Sequence, residues 1–190
     1  MLSVEECKSE LRAALHQYPN FPRQGVLFED FLTIFKNPSL FRKLIEGLKT
    51  HIEEEFPPGK IDYIVAPEAR GFLVAPTLAF AMDIGFIPIR KAGKLPGEVV
   101  SVEYEMEYGE AVFELQKEAI PPGSNVLLVD DILATGGSAV ASTELLRQVD
   151  ANVLGYCFIM ELEHLKGRAR LNEAPVFALL NSQSEGLMKK

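Results

Sequence analysis

The most informative segment of the chain is Asn125-Val-Leu-Leu-Val-Asp-Asp-Ile-Leu-Ala-Thr-Gly-Gly-Ser-Ala139. Its residues 126–129 form an unbroken aliphatic run after a turn rich in proline and glycine, a pattern typical of a strand buried on both faces. Two adjacent carboxylates follow at 130–131, and a loop of small residues follows at 134–138. Apolar residues then recur at helical spacing over 139–149. The predicted order is strand, acid pair, glycine loop and helix.

This arrangement suits a ligand that carries both a phosphate and a diol. Gly136 and Gly137 lack a Cβ, so a bound group can approach their backbone closely. The loop opens a helix, where free N–H groups and the helix dipole attract a phosphate, and Thr135 and Ser138 add hydroxyl donors. The carboxylates, placed upstream at the strand tip, suit sugar hydroxyls or a hydrated Mg²⁺.

Two other phosphate-binding motifs do not fit the chain. No Lys-Ser/Thr pair follows the glycines, as a Walker A loop requires. No G-x-G-x-x-G follows a strand, as a dinucleotide-binding fold requires.

Size and composition predict one compact α/β domain. The chain has 190 residues and a formal net charge of −8, which argues against general nucleic-acid binding. No segment approaches the length of a membrane span, and the acidic start resembles neither a signal nor a transit peptide, so a cytoplasmic location is expected. Cys7 and Cys157 are expected to be free thiols, and the three histidines lack zinc-ligand spacing.

Periodicity predicts helices that alternate with strands. Helices are expected at 4–17, 37–55 and 72–82 and strands at 61–66, 85–90, 112–115, 153–160 and 176–180. Asn37 is the predicted N-cap of the second helix, with Pro38 at its first position. Pro88 indicates an edge or a kink in its strand. The alternation predicts a central parallel sheet flanked by helices, with ligands at the carboxyl ends of its strands.

The acid pair and its loop resemble the phosphoribosyl-pyrophosphate (PRPP) motif of type I phosphoribosyltransferases. Further segments closely resemble the members of that family that use adenine: Phe21–Phe28, Pro67–Phe72, Gly93–Gly97, Glu107–Gly109 and Leu165–Arg168. The resemblance spans nearly the whole chain and implies conversion of adenine and PRPP to AMP and pyrophosphate. It also implies a single domain over 1–190, with an N-terminal hood at about 19–35, a core at about 36–182 and a flexible catalytic loop at about 91–111.

Two segments are candidates for binding pyrophosphate. The turn at 67–71 follows a predicted strand and opens a helix, as anion-binding turns do. The basic cluster at 90–94 would by itself fit a solvated loop, but beside a PRPP site it suits a clamp. The resemblance implies a cis peptide between Glu68 and Ala69. The implied pyrophosphate-binding residues are Glu68, Ala69, Arg70, Arg90, Lys91 and Lys94.

The segment at 25–28 would pass as core packing on composition alone. The resemblance instead implies that it covers adenine, with backbone atoms reading the edge of the base and aromatic stacking on its faces. The implied adenine-binding residues are Val26, Leu27, Phe28, Arg70 and Ile132. Glu29 departs from members with a basic residue at this position, so a pyrophosphate contact is not carried over to it.

Residues 103–109 are acidic and aromatic and, by composition, fit a solvated β-ribbon. The resemblance implies that Glu107 handles the adenine N9 proton and that Tyr108 helps to close the loop, with Arg70 as the third catalytic residue.

The same resemblance assigns the PRPP contacts. Asp130 and Asp131 would hold the ribose hydroxyls, and the 5′-phosphate would be bound by Ala134, Thr135, Gly136, Gly137 and Ser138. Mg²⁺ would be held mainly by PRPP and water, with Asp130 and Asp131 as candidate protein ligands, and a homodimer is implied. Three alternatives stay open: transfer to another base such as hypoxanthine, guanine, xanthine or orotate, a PRPP-binding regulator, and an inactive paralogue.

Overall fold

A mixed sheet forms the centre of the computed structural model, which describes residues 4–22, 24–106, 109–171 and 174–182. Within these residues the sheet has seven strands: β3 (Tyr63–Pro67), β4 (Gly85–Lys91), β5 (Val99–Met106), β6 (Gly109–Gln116), β7 (Asn125–Leu133), β8 (Asn152–Glu161) and β9 (Val176–Asn181). Their order is β5-β6-β4-β3-β7-β8-β9. The five strands from β4 to β9 in this order are parallel, while β5 and β6 are antiparallel.

The five-strand part confirms the predicted parallel sheet. The predicted loop at about 91–111 is wrong in part, because β5 occupies Val99–Met106 and β6 begins at Gly109. Its apolar side chains alternate with polar ones, so that Val100, Val102 and Tyr104 pack on the core while Ser101 and Glu103 are exposed. This two-residue period is typical of a half-buried strand, and the polar composition concealed it.

Helices cover both faces of the sheet. They are α1 (Val4–Ala13), α2 (Leu32–Phe35), α3 (Pro38–Glu55), α4 (Ala75–Met82) and α5 (Gly137–Gln148). Asn37 caps α3 as predicted: its side chain accepts a hydrogen bond from the backbone N–H of Ser39 at 2.9 Å. Pro38 stands at the start of this helix, where its missing N–H costs nothing.

The predicted first helix is too long. It ends at Ala13, and His16–Pro19 form β1, which pairs antiparallel with β2 (Leu27–Asp30). The connecting turn has positive φ angles at Asn20 and Gly25, and the Asn20 side chain accepts the Gly25 N–H. Pairing with β2 therefore satisfies backbone groups that a helix would otherwise have used.

The central strands bury side chains on both faces. On β7, Leu127 and Val129 belong to an apolar cluster with α1, α3 and α4, whereas Val126 and Leu128 belong to a second cluster with α5, β5 and β6. Pro88 lies where β4 pairs with β3 alone among the described residues, since β6 reaches β4 only at Arg90 and Lys91. The predicted edge character of Pro88 is thus confirmed locally.

Candidate active site

The acid pair lies inside β7 rather than beyond its end. The strand continues to Leu133, and Asp130 is in register with Phe158 on β8. Both carboxylates are buried, at 8% exposure for Asp130 and 3% for Asp131. The backbone N–H of Asp131 donates to Asp130 Oδ1 at 2.9 Å. The carboxyl groups are thus held within a regular strand, which continues past the strand tip that the sequence predicted at this pair.

Burial and mutual repulsion shape the chemistry of this pair. Burial, followed by the charge of the neighbouring Asp131, raises the pKa of Asp130 well above its usual range. Arg70 approaches from the turn after β3, with its Nε 2.5 Å from Asp131 Oδ2. Among the described residues, that oxygen accepts no well-aligned hydrogen bond. A buried acceptor of this kind suits a ligand hydroxyl or a hydrated cation.

The turn that carries Arg70 packs closely against the acid pair at Gly71. A Cβ on Gly71 would lie 3.0 Å from Asp130 Oδ1 and 3.2 Å from the Cβ of Ala66. Glycine at this position therefore lets the turn after β3 pack directly on the end of β7. The turn and the acid pair, predicted separately, form one site.

The glycine loop leads directly into α5. Gly136 is the N-cap, with φ +80°, a left-handed conformation that favours glycine. Since this cap has no side chain, no side-chain hydrogen bond from it satisfies the first N–H groups of α5. The structure thus confirms the predicted strand–loop–helix order and offers these N–H groups to an anion.

The second candidate region for binding an anion, predicted for pyrophosphate, contains the Glu68 carboxylate and two basic side chains, Arg90 and Lys94. Glu68 Oε2 lies 2.5 Å from Arg90 Nε, and its Oε1 lies 2.7 Å from Lys94 Nζ. The Glu68 side chain is 8% exposed, and its peptide bond to Ala69 is cis, as the resemblance implied.

Hydrogen bonding overcomes burial at Glu68. Burial alone would raise the pKa of this carboxyl, but hydrogen bonds from Lys94, Arg90 and the Lys91 backbone lower it to about 2. Glu68 therefore stays ionised and holds the two cations together. Alternation along β4 turns the Lys91 side chain away from that of Arg90, so a role for the Lys91 side chain stays a prediction.

The predicted hood at about 19–35 contains the turn between β1 and β2, strand β2 and helix α2. Phe28 packs edge-on against Phe21, with ring centroids 5.1 Å apart, while Val26 and Leu27 are half-buried. Ile132 packs against the first apolar cluster. The predicted sandwich of adenine between Phe28 and Ile132 stays a prediction. Glu29, which the sequence left without a role, is buried and accepts hydrogen bonds from Gln17 and Ser182.

The predicted catalytic pair, Glu107 and Tyr108, lies outside the described residues. The strands on either side pair as far as Met106 and Gly109. The roles of Glu107 and Tyr108 stay predictions.

Other sequence predictions concern thiols, metals and membranes. Cys7 and Cys157 are buried free thiols, as predicted. Across the four described ranges, no group of three or more metal-ligating side chains comes together. No helix in the described part of the chain combines the length and apolar character that crossing a bilayer requires.

One structural neighbour of the site was not predicted. The 3-10 turn Gly167–Arg170 packs against the glycine loop, where the carbonyl oxygen of Gly167 would lie 2.9 Å from a Cβ on Gly136. The sequence offered a signal only in the resembling segment at 165–168, to which no role was attached.

The chain matches the sequence model of the phosphoribosyl transferase domain over residues 31–182, which include the acid pair, the glycine loop and the Glu68 cluster. Among curated proteins, "Adenine phosphoribosyltransferase 1" of Saccharomyces cerevisiae is 62% identical over 188 residues, 99% of this chain and all of that protein. The adenine phosphoribosyltransferase of Kluyveromyces lactis is 57% identical over the same shares. The chain therefore belongs to the adenine phosphoribosyltransferases, within the phosphoribosyltransferase family.

The similarity to a solved structure supports this family assignment. Adenine phosphoribosyltransferase from Saccharomyces cerevisiae, complexed with D-2,5-dideoxy-2,5-imino-altritol 1,6-bisphosphate and adenine, superposes with a TM-score of 0.89 at 63% identity. The match covers 93% of this chain and 99% of that one. Its ligands are a phosphorylated sugar analogue and a purine base.

Proposed function

We propose that this protein transfers 5-phosphoribose from PRPP to N9 of adenine, forming AMP and releasing pyrophosphate in purine salvage. The observation that carries the proposal is the convergence of three features at the carboxyl ends of β3, β4 and β7, which are neighbours in the sheet. These features are the buried acid pair, the glycine loop before α5 and the Glu68 cluster. A phosphorylated sugar with a pyrophosphate leaving group needs all three.

Each feature has a place in the reaction. Asp130 and Asp131 bind the ribose hydroxyls, and the net negative charge of this pair favours the oxocarbenium character that develops at C1′ as the leaving group departs. The loop at 134–138 binds the 5′-phosphate through backbone N–H groups. Arg90 and Lys94 neutralise the departing pyrophosphate. Arg70, whose Nε lies 2.5 Å from Asp131 Oδ2, is the further residue proposed to contact pyrophosphate and adenine.

The proton of adenine needs a separate group. N9 bonds to C1′ as the C1′–oxygen bond to pyrophosphate breaks, and the N9 proton leaves to Glu107. Tyr108 helps to exclude water during this step. Adenine itself binds under the hood, against Val26, Leu27 and Phe28, with Ile132 on its other face.

The donor set of the site fits Mg²⁺ that arrives with PRPP. Two buried carboxylates and no larger cluster among the described residues suit a cation that keeps several water molecules. Asp130 and Asp131 are the residues that would hold it, directly or through water. Mg²⁺ held there would neutralise pyrophosphate charge and orient the ribose hydroxyls.

We also propose a homodimer in the cytoplasm. Phe80 on α4 is 87% exposed, and Leu73, at the end of the turn that precedes α4, is 41% exposed. Large exposed apolar side chains on α4 and on the turn before it favour contact with a second copy. Light scattering coupled to size-exclusion chromatography tests this: a monomer at micromolar concentration would contradict it.

The direct test is AMP formation from adenine, PRPP and Mg²⁺, with hypoxanthine and guanine in parallel. Turnover with adenine alone is expected. Turnover with another base instead would replace adenine as the substrate. Binding of PRPP without turnover on any base would favour an inactive, PRPP-binding paralogue.

A further inference from the structure

We infer that the 3-10 turn Gly167–Arg170 is a positioning element that sets the shape of the loop for the 5′-phosphate of PRPP. This inference rests on the proposed function, since it deals with the same loop. No residue of the turn is assigned a ligand contact.

The first support is a backbone contact that excludes any side chain. A Cβ on Gly167 would lie 2.2 Å from the carbonyl oxygen of Ala134 and 2.9 Å from the backbone nitrogen of Gly136. Two backbones therefore meet here with no space for a methyl group. The residues they fix, 134 and 136, belong to the first three positions of the predicted phosphate loop at 134–138.

The second support is that the turn is itself anchored elsewhere. The Nε of Arg168 lies 3.1 Å from both carboxylate oxygens of Glu161, and its Nη2 also contacts Oε2. Glu161 is buried at the end of β8, and Leu171 is buried in the second apolar cluster. A bidentate arginine–carboxylate pair holds both position and orientation. The turn is therefore held in place independently of the loop and can restrict the position of the loop backbone.

The third support is a hydrogen bond to the loop residue between these two, Thr135. Arg170 Nη1 donates to the carbonyl oxygen of Thr135 at 3.3 Å. Together with the two Gly167 contacts, each of the three residues before α5 is fixed by this turn. Because the loop binds through backbone N–H groups, its peptide planes decide where the phosphate sits.

Three variants test the inference. Gly167→Ala forces the loop away from its position. Arg170→Gln removes one exposed contact without disturbing the core. Arg147→Gln is the control: it removes an exposed arginine outside the turn, whose Nη1 lies 3.0 Å from Glu144 Oε2 on α5.

The readout is KM for each substrate in both directions, with the co-substrate saturating. PRPP and AMP carry the 5′-phosphate, whereas adenine and pyrophosphate do not. For Gly167→Ala we expect KM for PRPP and AMP to rise by about tenfold or more, since displacements near 1 Å cost up to about a hundredfold. For Arg170→Gln we expect about a threefold rise, as for loss of one ordinary hydrogen bond. KM for adenine and pyrophosphate should stay within about twofold, and the control should match the wild type in all four.

Two results would overturn the inference. One is unchanged KM for PRPP and AMP in both variants. The other is an equal rise for all four substrates, which indicates general loosening of the fold. If Gly167→Ala does not fold, Arg170→Gln decides alone. A wild type without turnover would instead contradict the proposed function, so the two failures are distinct.

Discussion

Glu68 offers a test of how strongly the cation cluster is held together. Glu68→Gln keeps the shape of the side chain and removes the charge that binds Arg90 and Lys94. The pKa of Glu68 falls from 4.5 to about 2, and about 2.5 pKa units at 1.36 kcal/mol each gives an upper bound of about 3.4 kcal/mol. Because Arg90 is 33% exposed and Lys94 49%, solvent screens part of this. We expect the variant to lose about 2 kcal/mol of unfolding free energy at pH 7.

The stabilisation by the Glu68 carboxylate should decrease as the pH falls. The folded pKa is depressed, so the stabilisation is complete above the unfolded value of 4.5 and disappears as pH falls toward 2. The difference between wild type and Glu68→Gln should therefore shrink by about 1 kcal/mol between pH 7 and pH 3.5.

Urea denaturation at several pH values measures this difference. Glu98→Gln is a matched control, since Glu98 is 82% exposed and pairs with Lys117 at 3.4 Å; such a surface pair contributes little. A difference for Glu68→Gln that is no larger than for Glu98→Gln, or that does not change with pH, would refute the reasoning.

Three further outcomes are expected. Asp130→Asn should abolish AMP formation yet raise the melting temperature, because the buried carboxyl has a raised pKa and its neutral isostere avoids repulsion from Asp131; activity near the wild-type rate, or a lower melting temperature, would contradict this. Glu107→Gln should lower kcat by about a hundredfold or more while calorimetry shows unchanged PRPP binding, since general bases contribute factors of this size; an unchanged kcat would remove Glu107 from its role. Asn37→Ala should lower the unfolding free energy by about 1 kcal/mol through loss of the α3 cap, without changing the KM values; no loss on urea denaturation would show that the cap is dispensable.

Local sequence patterns predicted the centre of the fold well. The aliphatic run before Asp130 and the glycines after it could form little other than a buried strand and a helix start, because the residue types restrict both burial and backbone conformation. Asn37 and Pro38 likewise favour a helix start, through the side-chain cap of one and the restricted φ of the other. These features depend on near neighbours, so the sequence alone was enough.

Features that depend on distant partners were harder to predict. The contact between Glu68 and Lys94 joins residues 26 positions apart, and the contact of Gly167 with Ala134 joins two loops. Neither contact produces a periodic pattern in the sequence. The strand β5 does show a two-residue periodic pattern, but charged residues between its apolar positions favoured a loop interpretation. His16–Pro19 became a strand only because β2 lies beside it.

Strand β4 limits how the length of this chain can vary. Its last two residues pair with β6 through their backbones, while the side chain of Arg90 reaches Glu68. Insertion of one residue between Gly85 and Arg90 would turn that side chain to the opposite face and shift the attachment of the whole hairpin. The turn at Pro57–Gly59 joins α3 to β3 away from these pairings and can absorb such changes. In any collection of variants, insertions and deletions should therefore accumulate at 57–59 and be absent from β4.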